Sequence, residues 1–174
     1  MTDSALAALM TAMTFSPDDL EANRQRRLSA AQRQRLRGLQ QRTLLIGAAI
    51  FLLMAFVASV CIYLGQTNQQ ILWSLLGVLI TVLNAIACGF IARSYLRLAA
   101  DMREDGAVAV YSGQLERVLR HDNRIVSYVL RVGGHRFTVS KEVFKVFEHE
   151  KSYAMYTTAH ADVLLSAEPM ASAP

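Results

Sequence analysis

Apolar positions dominate the middle of the chain, and polar positions dominate both ends. Residues 43–92 contain no Asp, Glu, Lys, Arg or His. A polar run at 65–70 divides this block into two apolar stretches, 43–64 and 71–92. Each stretch has 22 residues, and a helix of that length spans about 33 Å, against about 30 Å for the hydrocarbon core of a bilayer. The pattern predicts two transmembrane helices joined by a short turn.

Basic side chains flank the apolar block and predict its orientation. Lys and Arg are enriched on the cytoplasmic flanks of membrane spans, and the 65–70 turn carries no charge. We therefore expect a multi-pass protein of the inner (plasma) membrane, with both termini cytoplasmic and only the turn outside. The flanking arginines, which we also expect to contact anionic lipid headgroups, are Arg33, Arg35, Arg37, Arg42, Arg93 and Arg97.

Small and polar residues recur on one face of the second span. Ser74, Gly77, Thr81 and Asn84 follow one another at steps of three or four, the spacing of a single helical face. Small side chains let helix backbones approach closely, and an amide in lipid needs a partner. We therefore predict a helix-packing face, within the hairpin or between copies of the protein. The matching stripe expected in the first span is Ala48, Ala55 and Ser59.

Helix-start signals precede the first span. The run 16–19 (Ser-Pro-Asp-Asp) has the residue types of an N-cap followed by a first helical turn. Ser29 and Gln32 have the spacing of a capping box, which predicts a helix that continues into the span. The apolar residues of 4–13 share one helical face, which predicts a further amphipathic helix. The stretch from Leu20 to Leu36 resembles the short helical-pair modules of the SHOCT type, found at the ends of bacterial membrane proteins. That resemblance implies oligomerisation or partner contact.

Alternating apolar positions and turn signals predict β structure after the second span. Val126, Tyr128, Leu130 and Val132 share one face of a strand, and a Gly-Gly pair at 133–134 is typical of a tight hairpin. The predicted order is βββαββ, with strands at 107–119, 124–132, 135–139, 152–158 and 162–167, a turn at 120–123, and a helix from Ser140 to Glu148.

This order predicts a small antiparallel barrel of OB-like or SH3-like type. The expected fold class is therefore a membrane α-helical hairpin plus a small β-barrel, α+β overall. The predicted regions are a cytoplasmic basic helical segment at 1–42, transmembrane helices at 43–64 and 71–92 joined by an extracytoplasmic turn at 65–70, a helical linker at 93–105, a cytoplasmic β-barrel at 106–168, and a disordered tail at 169–174.

The outline of residues 43–167 resembles uncharacterised bacterial two-span membrane proteins in which a helical hairpin carries a small cytoplasmic barrel. It is also loosely similar to the membrane-anchored OB domains of the NfeD type. The likeness is architectural and rests on the hairpin followed by the βββαββ pattern. It implies an accessory or scaffolding role, with no catalytic residue to assign.

The sequence contains no pattern typical of catalysis, a metal site or a cofactor site. Its four histidines lack metal-ligand spacing, and the 133–134 glycines are not followed by the Gly-Lys-Ser/Thr of a phosphate loop. We therefore expect a non-enzymatic anchor for a cytoplasmic β domain. Its expected partners are membrane lipid and either further copies of the chain or another membrane protein.

The alternative hypothesis is a membrane-proximal module that binds nucleic acid or another ligand. It depends on Arg117, Arg120 and Arg124, with Arg131 and Arg136 nearby in the sequence. Residues 102–174 are nevertheless neutral, with nine basic and nine acidic side chains. A neutral domain lacks the excess positive charge that nucleic-acid binders use, so nucleic acid is not the favoured partner.

Overall fold

The structure is a computed structural model that describes residues 2–103, 108–122 and 125–170. It is an α+β protein in which two long apolar helices precede an antiparallel sheet of five strands. The helices are α1 (Thr2–Met13), α2 (Pro17–Arg24), α3 (Ala30–Thr67), α4 (Ile71–Arg103) and α5 (Lys141–Val146). The strands are β1 (Val108–Asp122), β2 (Ile125–Val132), β3 (His135–Val139), β4 (Ser152–Thr158) and β5 (Leu164–Pro169).

α3 begins at a capping box and continues without a break into the first apolar stretch. The Ser29 hydroxyl accepts a hydrogen bond from the N–H of Gln32 at 3.0 Å, and the Gln32 side-chain oxygen accepts one from the N–H of Ser29 at 3.2 Å. These bonds satisfy backbone donors at the helix start that have no partner within the helix. The predicted capping box and the continuous helix are confirmed.

The turn between α3 and α4 is shorter than the predicted 65–70. α3 extends to Thr67, so only residues 68–70 separate the two helices. The N–H of Gln70 donates to the carbonyl of Gly65 at 3.0 Å, and Gln69 has a left-handed φ of 57°. Hydrogen bonds of this kind satisfy the last carbonyls of a helix, which explains why α3 continues through polar residues.

The N-terminal helices pack on the sheet. α2 begins at the predicted N-cap, where Ser16 and Asp19 form reciprocal side-chain to backbone hydrogen bonds. α1 and α2 contact β5, and α1 also contacts α5. Leu9, Phe15 and Leu20 are buried there. Helices as short as α1 and α2 are marginal in isolation, so packing of this kind stabilises them.

The chain forms two compact units, and both ends of the chain belong to the same one. The first unit contains Met1–Arg33 and Asp101–Pro174, and the second contains Gln34–Ala100. The N-terminal segment that the sequence analysis delimited at 1–42 is therefore divided between them. The short helices belong with the sheet, and the basic residues after Arg33 belong with the hairpin.

The sheet has the strand order β3-β2-β1-β4-β5, and every neighbouring pair is antiparallel. The predicted βββαββ order is confirmed. The predicted turn at 120–123 is wrong for Arg120 to Asp122, which continue β1 opposite Ile125 to Ser127. Cross-strand pairing extends the β1–β2 hairpin almost to its tip, and Asn123 lies outside the described residues. The two-glycine turn between β2 and β3 is present as predicted.

A single long strand, β1, organises the sheet. Val108 to Gln114 pair with β4, and Leu115 to Asp122 pair with β2. Gly113 lies at this change of partner, with φ 153°. A Cβ there would be in ordinary contact with the backbone N of Gly133, at 3.4 Å. The backbone conformation, which other residues rarely adopt, is therefore what favours glycine where the strand changes partners.

The sheet is not closed, so the predicted barrel is not confirmed. β3 and β5 are the outer strands of the order, and no ladder joins them within the described residues. β5 extends through Pro169, opposite Tyr153, beyond the expected domain boundary at 168. α4 continues as helix to Arg103, and the expected linker end at 104–105 lies outside the described residues.

Buried side chains line the face of the sheet that α1 and α5 cover, and β4 is buried on both of its faces. The predicted inward face of β2 is buried at Leu130 and Val132, whereas Val126 near the hairpin tip is 41% exposed. Ser140 caps α5 through the N–H of Val143 at 3.3 Å, as predicted. Other fully buried core side chains are Leu115, Phe147, Tyr153, Met155 and Ala167.

We predict that Leu9→Ala weakens the packing of α1 on the sheet. Leu9 is 1% exposed, and truncating a buried Leu to Ala costs about 2 to 5 kcal/mol. Amide hydrogen exchange in α1 should therefore accelerate, measured on the full chain in detergent. Ala7→Ser, at an exposed position of the same helix, is the control. Equal exchange rates in α1 of both variants would contradict the observed packing.

Candidate functional site

Close backbone contact joins α3 and α4 along the predicted packing face. A Cβ at Gly77 would lie 2.8 Å from the carbonyl oxygen of Ala58 and 2.5 Å from Cγ1 of Ile62. A Cβ at Gly65 would lie 2.6 Å from the backbone N of Ser74. Both glycines therefore occupy positions where any side chain would force the helices apart.

Asn84 is the polar residue of this face that reaches across to α3. Its side-chain nitrogen donates to the carbonyl oxygen of Phe51 at 3.2 Å, and the residue is 5% exposed. Thr81 differs, because it is exposed and its hydroxyl donates to the Gly77 carbonyl of its own helix at 2.9 Å. Ser74, Gly77 and Asn84 are therefore brought to α3, whereas the Thr81 hydroxyl is satisfied within α4.

The face that α3 presents overlaps only in part with the expected stripe of Ala48, Ala55 and Ser59, because Ala48 lines a groove together with Cys88 and Ile91 of α4. Ser59 is exposed, and its hydroxyl donates to the Ala55 carbonyl of its own helix at 2.9 Å. The side of α3 turned to α4 instead includes Gly47, Phe51, Ala58, Cys61 and Gly65. These positions also recur at helical steps, so their spacing was a signal that the sequence analysis missed.

The basic residues beside the spans are exposed at their positions on α3 and α4. Arg42 lies on the α3 side of the hairpin, and Arg93 and Arg97 lie on the α4 side. Exposed guanidinium groups beside an apolar helical stretch have a placement suited to lipid headgroups. The remaining members of this set, also exposed on α3, are Arg33, Arg35 and Arg37.

The arginines of the predicted nucleic-acid set are not brought together. The Arg117 guanidinium lies 4.3 Å from the centroid of the Phe144 ring, a cation–π contact on the α5 side of the sheet. Arg120 is an odd number of residues away in β1, and its side chain therefore lies on the opposite face. Arg124 lies outside the described residues.

Arg120 instead borders a groove on the outer face of β1, β2 and β3. The groove has a volume of about 470 Å³, and Val118 and Val129 form its apolar floor. Arg131 and Arg136 lie opposite each other on β2 and β3 and complete its basic border. The sequence placed these three arginines near one another, but only strand register puts them on one face.

Asp101, near the end of α4, holds the turn between β4 and β5. Its carboxylate is fully buried and accepts hydrogen bonds from the backbone N–H groups of His160 and Ala161 at 2.8 and 2.9 Å. The His160 ring nitrogen Nδ1 lies 2.9 Å from the same carboxylate. In the sequence His160 shows only that it lacks metal-ligand spacing, and its contact with Asp101 is visible only in the structure.

A second polar cluster joins α2 to β5. The Asn23 side-chain nitrogen donates to the Ser166 hydroxyl at 2.7 Å, and both residues are fully buried. Arg24 forms an ion pair with Glu168, and the Tyr156 hydroxyl donates to Glu168 at 2.5 Å. These contacts link helix and strand through charge as well as apolar packing.

The same cluster shifts the pKa values of its acids. Burial opposes ionisation of Glu168, but the hydrogen bonds from Arg24 and Tyr156 outweigh it and lower the pKa of this carboxyl. Burial, together with the hydrogen bond to Glu168, raises the pKa of Tyr156 to about 12. The cluster therefore favours a charged carboxylate beside a neutral phenol.

No group of three or more His, Cys, Asp or Glu side chains in the described part of the chain is arranged to hold a metal ion. Cys61 and Cys88 are free thiols. Comparison with protein-family models, curated proteins and solved structures finds no match to this chain.

We predict that Gly77→Leu destabilises the hairpin more than Asn84→Leu. The glycine change inserts bulk between two backbones, whereas the asparagine change removes one hydrogen bond, typically about 0.6 to 2 kcal/mol in membranes. Thermal unfolding in detergent measures both effects. Leu79→Ala is the control, because Leu79 is 55% exposed. If Leu79→Ala is the most damaging change, this face does not hold the helices together.

We predict that the contact between α2 and β5 stabilises the fold most at intermediate pH. Glu168 sets the acidic limit of this range, and Tyr156 sets the alkaline limit. The stabilisation from Glu168 is present above its usual pKa of 4.5 and is lost as the pH falls through its lowered folded value. The stabilisation from Tyr156 is present below its usual pKa of 10.0 and is lost as the pH rises towards about 12.

Thermal unfolding followed as a function of pH tests this window. Arg24→Gln should reduce the acidic loss of stability, because without the Arg24 ion pair the folded pKa of Glu168 is no longer held as far below its usual value. Tyr156→Phe should remove the alkaline loss. Lys141→Gln, on the exposed surface of α5, should leave both limits in place. Profiles that coincide for all four proteins would show that this cluster has no role in pH-dependent stability.

Proposed function

We propose that this protein is a non-enzymatic integral membrane protein of the inner membrane. In this proposal the α3–α4 hairpin crosses the bilayer twice and anchors a cytoplasmic β domain. The domain then serves protein contact, either between copies of the chain or with a membrane protein partner.

The surface of the two long helices supports a membrane location. The most apolar 18-residue windows of α3 and α4 have mean hydropathies of 2.7 and 2.4. Only 17% and 11% of these windows are buried. The core helix of a water-soluble protein is largely buried, whereas a helix in lipid exposes apolar side chains outwards. Both helices also exceed the length that a bilayer requires.

The observation that carries the proposed topology is that residues on both flanks of the hairpin fold into one compact unit. Residues of one folded unit occupy one side of a membrane, so the two spans form a single out-and-back crossing. The exposed arginines beside both spans then favour the cytoplasm as that side.

The strand order supports an OB-like description of the β domain. A meander of three strands, a helix and a further hairpin, with a first strand shared between two partners, matches a five-stranded partly open barrel. We propose that the domain belongs to this type, with the β3–β5 seam open. The likeness to two-span proteins of NfeD-like outline stays part of the proposal, as does the SHOCT-like assignment of the N-terminal helices.

A nucleic-acid or ligand-binding module is the second candidate function. The outer-face groove, with its three arginines, favours an anionic ligand. Arg117, which the sequence grouped with Arg120 and Arg124, packs against Phe144 instead. The nucleic-acid hypothesis therefore has less support from that set of arginines. Purification of the full chain from detergent extract separates the candidates. Under the proposed function, protein partners or further copies are recovered, and nuclease treatment leaves them bound. Recovery of RNA or DNA that is lost with Arg120→Ala would favour the second candidate.

We predict opposite labelling of two introduced cysteines by a membrane-impermeant thiol reagent. In a background with Cys61→Ala and Cys88→Ala, Thr67→Cys should react in intact cells. Ala159→Cys, at an exposed turn of the β domain, should react only after lysis. Labelling of Ala159→Cys in sealed cells would reverse the proposed orientation, and labelling of both sites would contradict the two-span anchor.

A further inference from the structure

The outer edge of β3 is an unpaired strand edge. Its outward backbone groups form no ladder with another strand in the described ranges. The two-glycine turn makes Val132 and His135 a hydrogen-bonded pair, and alternate residues of β3 then bond to β2. The N–H and C=O groups of Arg136 and Thr138 therefore point away from β2. An edge of this kind can pair with an added strand.

Side chains beside this edge are basic over an apolar floor. Arg136 and Thr138 are exposed on the outer face, whereas Phe137 between them is buried on the other. Among the described side chains, the lining of the adjoining groove includes three arginines and no acid. The described carboxylate beside it, Glu116, contacts Arg131 at 3.5 Å on an exposed part of the surface. The described side chains of this face therefore carry more positive than negative charge.

We propose that the β3 edge and this groove bind a short, extended, acidic segment of a partner protein, added to the sheet as a further strand. The inference rests on the proposed function in protein contact and specifies the chemistry of the partner. Backbone hydrogen bonds to Arg136 and Thr138 provide the pairing. An acidic residue opposite Arg136 shares its face of the sheet, because side chains directly across two strands are neighbours.

Other occupants fit the surface less well. Single-stranded nucleic acid is usually bound on aromatic side chains, and none lines this groove. A second copy paired through β3 would bring the arginines of both copies onto one face, and like charges at that distance repel. An acidic strand satisfies both the unpaired backbone and the excess charge.

The test uses the full chain in neutral detergent and a fluorescent eight-residue peptide of alternating Glu and Val. Fluorescence anisotropy should show binding of this peptide and none of a matched Lys and Val peptide. A Glu and Val peptide N-methylated at alternate amides should bind at least about tenfold more weakly when the methyl groups occupy the pairing edge. This comparison needs no change in the protein.

Two variants test the two halves of the site. Thr138→Pro removes an outward N–H while sparing the ladder to β2, a position where edge strands tolerate proline. It should weaken binding at least about tenfold, and Arg136→Gln should weaken it about three- to tenfold. Thr138→Val, which keeps the N–H, and Lys141→Gln, a charge change on α5, should each have less than about a twofold effect. Unchanged thermal unfolding verifies that each variant is folded.

Three results would overturn the inference. The first is equal binding of the acidic and basic peptides. The second is undiminished binding of both N-methylated registers. The third is tighter binding of an oligothymidylate or of a second copy, lost with Arg136→Gln. The first two results would leave the proposed function intact if the protein is still anchored in the membrane and its protein partners resist nuclease treatment. Oligothymidylate binding would count against both.

Discussion

Two buried carboxylates hold the ends of the long apolar helices to the unit that contains the sheet. Asp19 accepts the backbone N–H of Ser16 and the hydroxyl of Ser29, the N-cap residue of α3. Asp101, in the last turn of α4, accepts two backbone N–H groups from the turn between β4 and β5. A buried carboxylate is costly unless hydrogen-bonded, so each needs the contacts it makes. The start of α3 and the end of α4 are thereby fixed within one folded unit.

Within the hairpin, close packing of the two helices depends on glycines, which have no side chain to hold the backbones apart. In the proposed membrane location, lipid offers helices no hydrophobic drive to associate, so close backbone approach and a satisfied polar group hold them together. Gly65 and Gly77 provide the approach, and Asn84 provides the hydrogen bond to the Phe51 carbonyl. Over residues 43–64 and 71–92 the exposed surface of both helices is mainly apolar, which agrees with the proposed membrane location.

The two faces of the sheet differ in their covering and charge at β1, β2 and β3. The inner face is covered by α1 and α5 and uses one arginine, Arg117, as packing against Phe144. The outer face keeps Arg120, Arg131 and Arg136 beside an unpaired edge. Edge strands risk unspecific pairing, and positive charge on one limits pairing with itself. The same charge makes the edge selective for an acidic partner, which agrees with a role in protein contact.

The local sequence pattern was sufficient to predict several elements of this protein. Residues near one another in sequence determine the charge-free 43–92 block, the N-cap at Ser16, the capping box at Ser29 and the βββαββ order, so periodicity and cap chemistry predicted them. Contacts between distant segments did not follow from local pattern. Which surfaces meet decides the packing of α1 and α2 on β5 and the pairing of Asp101 with His160. Strand register decides the face on which each arginine lies. A shift of one residue in a strand moves every side chain to the other face, so only the tertiary structure decided whether an arginine lies in the groove or against the core.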